Sequence, residues 1–292
     1  MKNFIILFIS KNMVIEHKKN CPLIFFLHLP KTGGTTLTSI IKRQYLSHQI
    51  LSIDQQFNTT IQAPQMSKSE LSKLKIVKGH FSFGYHQFFS RPFTYFTMLR
   101  NPVDRVISDY YHIIRVPQHK LHNQVISQNM SLEDYICSGI SRMSENGQTK
   151  FLSGKHTEIG FNQCSYEILE LAKNHLKEHF IVVGITEKFN ESLILLKRAF
   201  HWDLKKCLYI KQRVGNNRIS KNDIPIKTLK LIQKYNQFDL ELYHYGIDIF
   251  NELKEINEIN LQVKKIVFLN KIYSDYYAKL PNLAKSICQQ FK

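Results

Sequence analysis

The sequence lacks any pair of cysteines spaced to share a metal: Cys21, Cys137, Cys164, Cys207 and Cys288 lie far apart and form no CxxC. Neither a zinc site nor a disulfide framework follows from such spacing, and a reducing compartment fits it best. Long apolar runs are missing too. Near the start, "FIILFI" (Phe4 to Ile9) falls far short of the roughly 18 apolar residues of a membrane span. The polar "SKN" that follows, with no small-residue cleavage site after it, also makes it a poor signal peptide. The run reads as a short strand or an apolar N-terminal arm, and the chain as cytoplasmic, with peripheral membrane contact through the N-terminus as the alternative.

Acidic residues are scarce. Forty Lys and Arg stand against 23 Asp and Glu, a formal surplus of +17 that favours anionic ligands such as nucleic acid, a membrane surface, an acidic glycan or a phosphorylated cofactor. No dense Lys/Arg block or Arg-rich tail concentrates that charge, so a basic surface without a polymer partner is equally consistent with it. No internal repeat and no Gly/Ser/Pro-rich linker divides the chain. It reads as one domain over residues 1–292, with an arm over 1–21, a core over about 22–250 and a helical tail over 251–292.

What is present is an alternation of apolar runs and amphipathic stretches. "LIFFLHL" (Leu23 to Leu29), ended by Pro30, suits a strand buried on both faces. Leu37, Ile40, Ile41 and Tyr45 then recur at helical spacing. Leu74 to Phe81, Phe93 to Arg100 and His179 to Ile185 read as further strands, and Glu191 to Phe200 as a helix. Asn101 as N-cap and Pro102 in the first helical position open another helix, whose apolar face is Val103, Val106, Ile107, Tyr110 and Ile114. Residues 54–72 and 115–130 are polar enough for surface loops or short helices. The pattern predicts a three-layer α/β sandwich around a parallel sheet, with a mostly helical part from about Ile224 onward.

The most informative stretch is "FLHLPKTGGTTL" (residues 26–37), a strand running through a glycine turn into a helix. Backbone N–H groups and the helix dipole converge on such a turn and favour a phosphate-like group, which makes the site P-loop-like. The order differs from the GxxxxGK[ST] of nucleotide triphosphatases, because Lys31 precedes Gly33 and Gly34. A lysine at the strand exit lies beside a bridging phosphoanhydride oxygen, while Thr32, Thr35 and Thr36 add hydroxyl donors.

"PKTGGTT" resembles the 5'-phosphosulfate loop of sulfotransferases that use 3'-phosphoadenosine 5'-phosphosulfate (PAPS), in particular the branch containing the glycosaminoglycan 2-O-sulfotransferases and their bacterial relatives. "MLRNPVDRVISDYY" (Met98 to Tyr111) resembles the 3'-phosphate element of that family, which implies that Arg100 and Ser108 hold the extra phosphate. Helical geometry turns Ser108 away from the apolar face and toward a ligand. "SENGQTKFLSG", "HFIVVGITEKFNESLILLK", "RVGNNR" and "FDLELYHYGIDIF" extend the resemblance to about residue 250, with Arg213, Gly215 and Arg218 as candidate donors to the nucleotide or as ordinary exposed loop residues.

Transfer to an alcohol requires a base for the acceptor proton and stabilisation of the departing phosphate. His80, at the C-terminal end of a predicted strand, matches the catalytic histidine of the 2-O motif, whereas Lys78 stands where the uronyl enzymes carry a second histidine. His86 and His112 are the fallback bases, and His28 reads as structural. Phe81, Phe83 and Tyr85 form either a sugar platform or core packing. The resemblance implies a sulfotransferase acting on a carbohydrate or other hydroxyl. In it Lys31 stabilises the leaving phosphate, Thr32, Gly33, Gly34, Thr35 and Thr36 cradle it, PAPS is the donor, and no metal or nucleic acid takes part. The alternatives are a magnesium-dependent nucleotide kinase or triphosphatase, against which the loop order argues, and a non-catalytic binder of anionic polymers.

Overall fold

A computed structural model describes residues 22–53, 65–210 and 223–279; the expected N-terminal arm and the Arg213, Gly215 and Arg218 candidates lie outside them. Five parallel strands, β1 (Leu23–Leu27), β2 (Ile50–Ile53), β3 (Ile76–Gly79), β4 (Phe93–Leu99) and β5 (Phe180–Ile185), form one sheet in the order β2-β3-β1-β4-β5. Four of them occupy the expected apolar runs, each one to four residues shorter than its run. β2 was not expected. "ILSI" is too short for its alternation to register, and it sits at the sheet edge with no residue fully buried.

Helices cover both faces of the sheet. α1 (Gly34–Gln44) follows β1, α2 (Lys68–Lys73) precedes β3, and α3 (Pro102–Arg115) follows β4. Then come α4 (His122–Ser127), α5 (Leu132–Cys137), α6 (Gly147–Leu152), α7 (Tyr166–His179), α8 (Phe189–Ala199), α9 (Ile226–Tyr235), α10 (Gln237–Asn257) and α11 (Asn260–Lys279). Register places Phe26, Phe96 and Val182 on one face, where Phe96 meets Phe200 and Trp202 just beyond α8. On the other face Leu99 and Val183 meet Gly246 of α10, so closely that a Cβ there would lie 2.3 Å from Leu99. A second apolar cluster joins α3, α4, α5 and α9 through Val106, Ile113, Val125, Tyr135 and Ile232.

The strand order positions the site. From β1 the chain runs to β2 on one side, and from β4 to β5 on the other. Connections that diverge in this way leave a crevice above the C-terminal strand ends, where open α/β sheets bind their ligands. The residues leaving β1, β3 and β4 at that edge are His28 to Gly33, His80 and Arg100.

Candidate active site

The turn after β1 takes its shape from two left-handed residues. Lys31 adopts φ 69° and Gly33 φ 81°, left-handed conformations uncommon for a lysine and natural for a glycine. Gly33 is the N-cap of α1. At this end Leu37 N–H donates to Gly33 O at 3.3 Å, and helix geometry aims the N–H groups of Gly34, Thr35 and Thr36 out of the helix end. Thr35 is exposed and Thr36 partly so. Thr32 differs from expectation: its hydroxyl is buried and donates to Leu29 O at 2.8 Å. It shapes the turn from inside, whereas the other two threonines face outward.

Arg100 and the β5–α8 corner clamp this turn. Arg100 Nη1 donates to Lys31 O at 2.8 Å. The Thr186 hydroxyl lies 2.8 Å from Leu99 O and 3.1 Å from Thr32 O, so one donor serves both loops. Arg100 is itself fixed through its backbone, because Gln148 accepts from Arg100 N–H at 3.0 Å and donates to Arg100 O at 2.9 Å. Glu187 accepts from Asn101 N–H at 3.0 Å and from Tyr243 O–H at 3.0 Å. Both of its oxygens are thus engaged with donors of the protein.

Asn101 caps α3 as expected, accepting from Val103 N–H and Asp104 N–H at 3.0 and 3.3 Å, with Pro102 at the helix start. Ser108 falls on the less buried stripe of α3 with Asp104, Tyr111, His112 and Arg115. His112 is pushed down to about 4 by burial and then by the charge of Lys31. This fallback candidate therefore lies within electrostatic reach of the turn.

His80 follows β3 directly. Its Nδ1 lies 2.7 Å from His28 O. A carbonyl only accepts, so Nδ1 carries the hydrogen, and the neutral ring keeps its lone pair on Nε2, the arrangement a general base requires. The His80 ring also stacks on that of His28, centroids 4.2 Å apart. Burial, then His80, Lys78 and Lys31, hold His28 well below the usual histidine range.

Packing also decides two alternatives that the sequence leaves open. His86 stacks on Phe93 at 3.8 Å and its Nδ1 is 3.0 Å from Tyr95 O–H. Phe93 is the first residue of β4, so His86 belongs to the opposite edge of the sheet from the turn. Phe81, Phe83 and Tyr85 are all buried, with Phe81 stacked on Tyr85 at 5.1 Å and Phe83 on His175 at 3.8 Å. They are core, and no sugar platform is available from them. Gln148, Thr186 and Glu187 escaped sequence reasoning, because their partners are 48 to 154 residues away. Only "SENGQTK" and "GITEKF" within the wider resemblance hinted at them.

The donors at this edge are N–H groups, a lysine and an arginine, a set suited to a polyanionic ligand. Among the described residues no group of three or more His, Cys, Asp or Glu side chains could hold a metal ion, and no helix is long and apolar enough to cross a membrane.

The known proteins to which this chain is similar are sulfotransferases. A family model described as galactose-3-O-sulfotransferase matches residues 10–264. Uronyl 2-sulfotransferase of Homo sapiens is 25% identical over 191 residues, covering 59% of this chain and 46% of that protein. Heparan-sulfate 6-O-sulfotransferase 2 of Danio rerio is 23% identical over 283 residues, covering 80% and 59%. Heparan-sulfate 6-O-sulfotransferase 3 of Mus musculus is 25% identical over 281 residues, covering 80% and 58%. The chain thus spans about half the length of the curated relatives it matches.

Proposed function

Since the chain belongs to the galactose-3-O-sulfotransferase family, we propose that it transfers a sulfuryl group from PAPS to a hydroxyl of a carbohydrate. The observation that carries the reading is the convergence of three strand exits at one sheet edge: Arg100 on the carbonyl of Lys31, and His80 on the carbonyl of His28, two residues before the turn.

The residues present fit such a donor. The outward N–H groups of Gly34, Thr35 and Thr36 and the positive end of α1 receive the 5'-phosphate oxygens, joined by the Thr35 and Thr36 hydroxyls. Arg100 and Ser108 take the 3'-phosphate. When bound, PAPS supplies an activated sulfuryl group on a phosphate leaving group. Lys31 offsets the negative charge that grows on the departing phosphate, a contribution larger in the transition state than in the ground state. His80 Nε2 takes the acceptor hydroxyl proton while Nδ1–H stays bonded to His28 O, so the imidazolium forms without reorienting.

The acceptor is read only as a carbohydrate hydroxyl. The relatives are named for different positions, and Lys78 stands where the 2-O motif has a histidine. The test is mass spectrometry of candidate glycans incubated with protein and donor, with a gain of one sulfate as the expected result. His80→Ala should lower turnover by a factor of about 10² to 10⁴ and leave binding of the 3',5'-bisphosphate product nearly unchanged. Retention of more than about a tenth of wild-type turnover would remove His80 as the base and leave His112 as the next candidate.

A further inference from the structure

His28 was expected to be structural, and its carbonyl alone would justify its place. Its side chain is less easily dismissed. A Cβ built on Gly34 would lie 1.6 Å from His28 Nε2 and 2.2 and 2.3 Å from the two ring carbons beside it. The ring therefore occupies the space that any other residue at position 34 would fill, against the first turn of α1. It also stacks with the Phe26 ring at 5.2 Å and the His80 ring at 4.2 Å. Phe26 in turn stacks on Phe96 with only 4° between planes. An aromatic ladder thus runs up one face of the sheet from the core to His80, and its last rung before the base touches the donor turn.

We propose that His28 is a positioning residue: its ring is the spacer that holds the His80 ring at a fixed distance from the α1 turn and in the orientation where Nδ1–H meets the His28 carbonyl. This rests on the reading of His80 as the base. The charged groups acting on His28 are His80, Lys78 from β3 and Lys31 from the turn, cations or potential cations all. An imidazole kept neutral among them stacks beside an imidazolium without adding a further positive charge. Aliphatic or small residues at position 28 would leave the backbone carbonyl in place but let the His80 ring rotate, and an unrestrained imidazole carries its hydrogen on either nitrogen.

Three proteins test this: wild type, His28→Ala, which removes the spacer, and His28→Gln, which returns a flat polar group near the position of Nε2. Ring ¹⁵N NMR of His80 at pH 8 reads the tautomer without any turnover, and donor-saturated kcat with bisphosphate titration separates chemistry from nucleotide binding. We expect Nδ1–H in wild type and a mixture of tautomers in His28→Ala. In the same variant kcat should fall at least about tenfold while nucleotide affinity changes less than about threefold; His28→Gln should recover most of both properties. An unchanged tautomer and kcat in His28→Ala overturn the proposal. So does a loss of nucleotide affinity as large as the loss of kcat, which would make His28 a support for the turn only. If wild type transfers no sulfate, the sulfotransferase reading fails, and the NMR comparison still decides whether His28 orients His80.

Discussion

Arg100 has two tasks in this architecture, and they predict different outcomes for two substitutions that would otherwise look equivalent. Its guanidinium is proposed to hold the 3'-phosphate, yet Nη1 is already bonded to Lys31 O, so the same side chain braces the turn that receives the 5' end. Ser108 has no comparable second duty among the contacts described. Arg100→Ala should therefore weaken both the 3',5'-bisphosphate and plain 5'-AMP, the former by about 1.5 to 3 kcal/mol as for a hydrogen bond to a charged group. Ser108→Ala should weaken the bisphosphate alone. Calorimetry with both nucleotides decides this, and an unchanged 5'-AMP affinity in Arg100→Ala would show that the bond to Lys31 does not support the turn. At this scale Lys31, His80 and Arg100 were legible because each sits at a strand exit that its own apolar run announces. The inward hydroxyl of Thr32 and the ring of His28 were not, since what they contact is decided by the packing of β1 against α1.

Between elements, α6 and α10 cap each other. Asn146 Oδ1, just before α6, accepts from Phe238 and Asp239 N–H at 3.0 and 3.1 Å in the first turn of α10. Asp239 returns the arrangement, accepting from Gln148 and Thr149 N–H at 3.1 and 2.7 Å in the first turn of α6. Asp239 also faces the fully buried Arg105 guanidinium at 3.9 Å. Because Gln148 on that turn holds the backbone of Arg100, the paired caps set where the proposed 3'-phosphate site lies. Asp239→Ala removes the carboxylate that faces the buried Arg105 guanidinium and should cost about 3 to 5 kcal/mol of stability, whereas Asn146→Ala should cost about 0.5 to 2 kcal/mol as a lost cap. In a double-mutant cycle by chemical denaturation the two should be clearly non-additive, since they break one network. Simple additivity would mean that the caps act independently. Local signals showed where strands β1, β3, β4 and β5 and the capped helix α3 lie. The short edge strand β2 and α6 gave none, as a four-residue strand has too little alternation and the cap that starts α6 is about 90 residues away in the chain.

Over the whole molecule the histidines determine how the fold responds to acid. His28, His86, His112, His119, His156, His175 and His179 are all held below the ordinary histidine range, with burial the first cause in each. His86 and His112 sit at about 4 and His156 at about 3. A histidine with a depressed folded pKa binds fewer protons in the native state than in the unfolded chain over the interval between the two values. Stability therefore rises with pH across that interval, and is lost as pH falls from about 6.5 toward 4 and 3. Every added proton also enlarges a surplus that already stands at +17. For His156, buried against Phe151 with ring centroids 3.9 Å apart, the loss from pH 7.5 to pH 5 is on the order of 2 kcal/mol. In a protein of this size that corresponds to roughly 4 to 8 °C of Tm. Thermal unfolding followed by circular dichroism from pH 8 to pH 4 should show a Tm nearly level above pH 7 and falling steadily below 6.5. His156→Gln should flatten part of that fall. A Tm that stays level or rises down to pH 5 would mean that these rings are far better hydrated than their packing against Phe83, Phe93 and Phe151 implies.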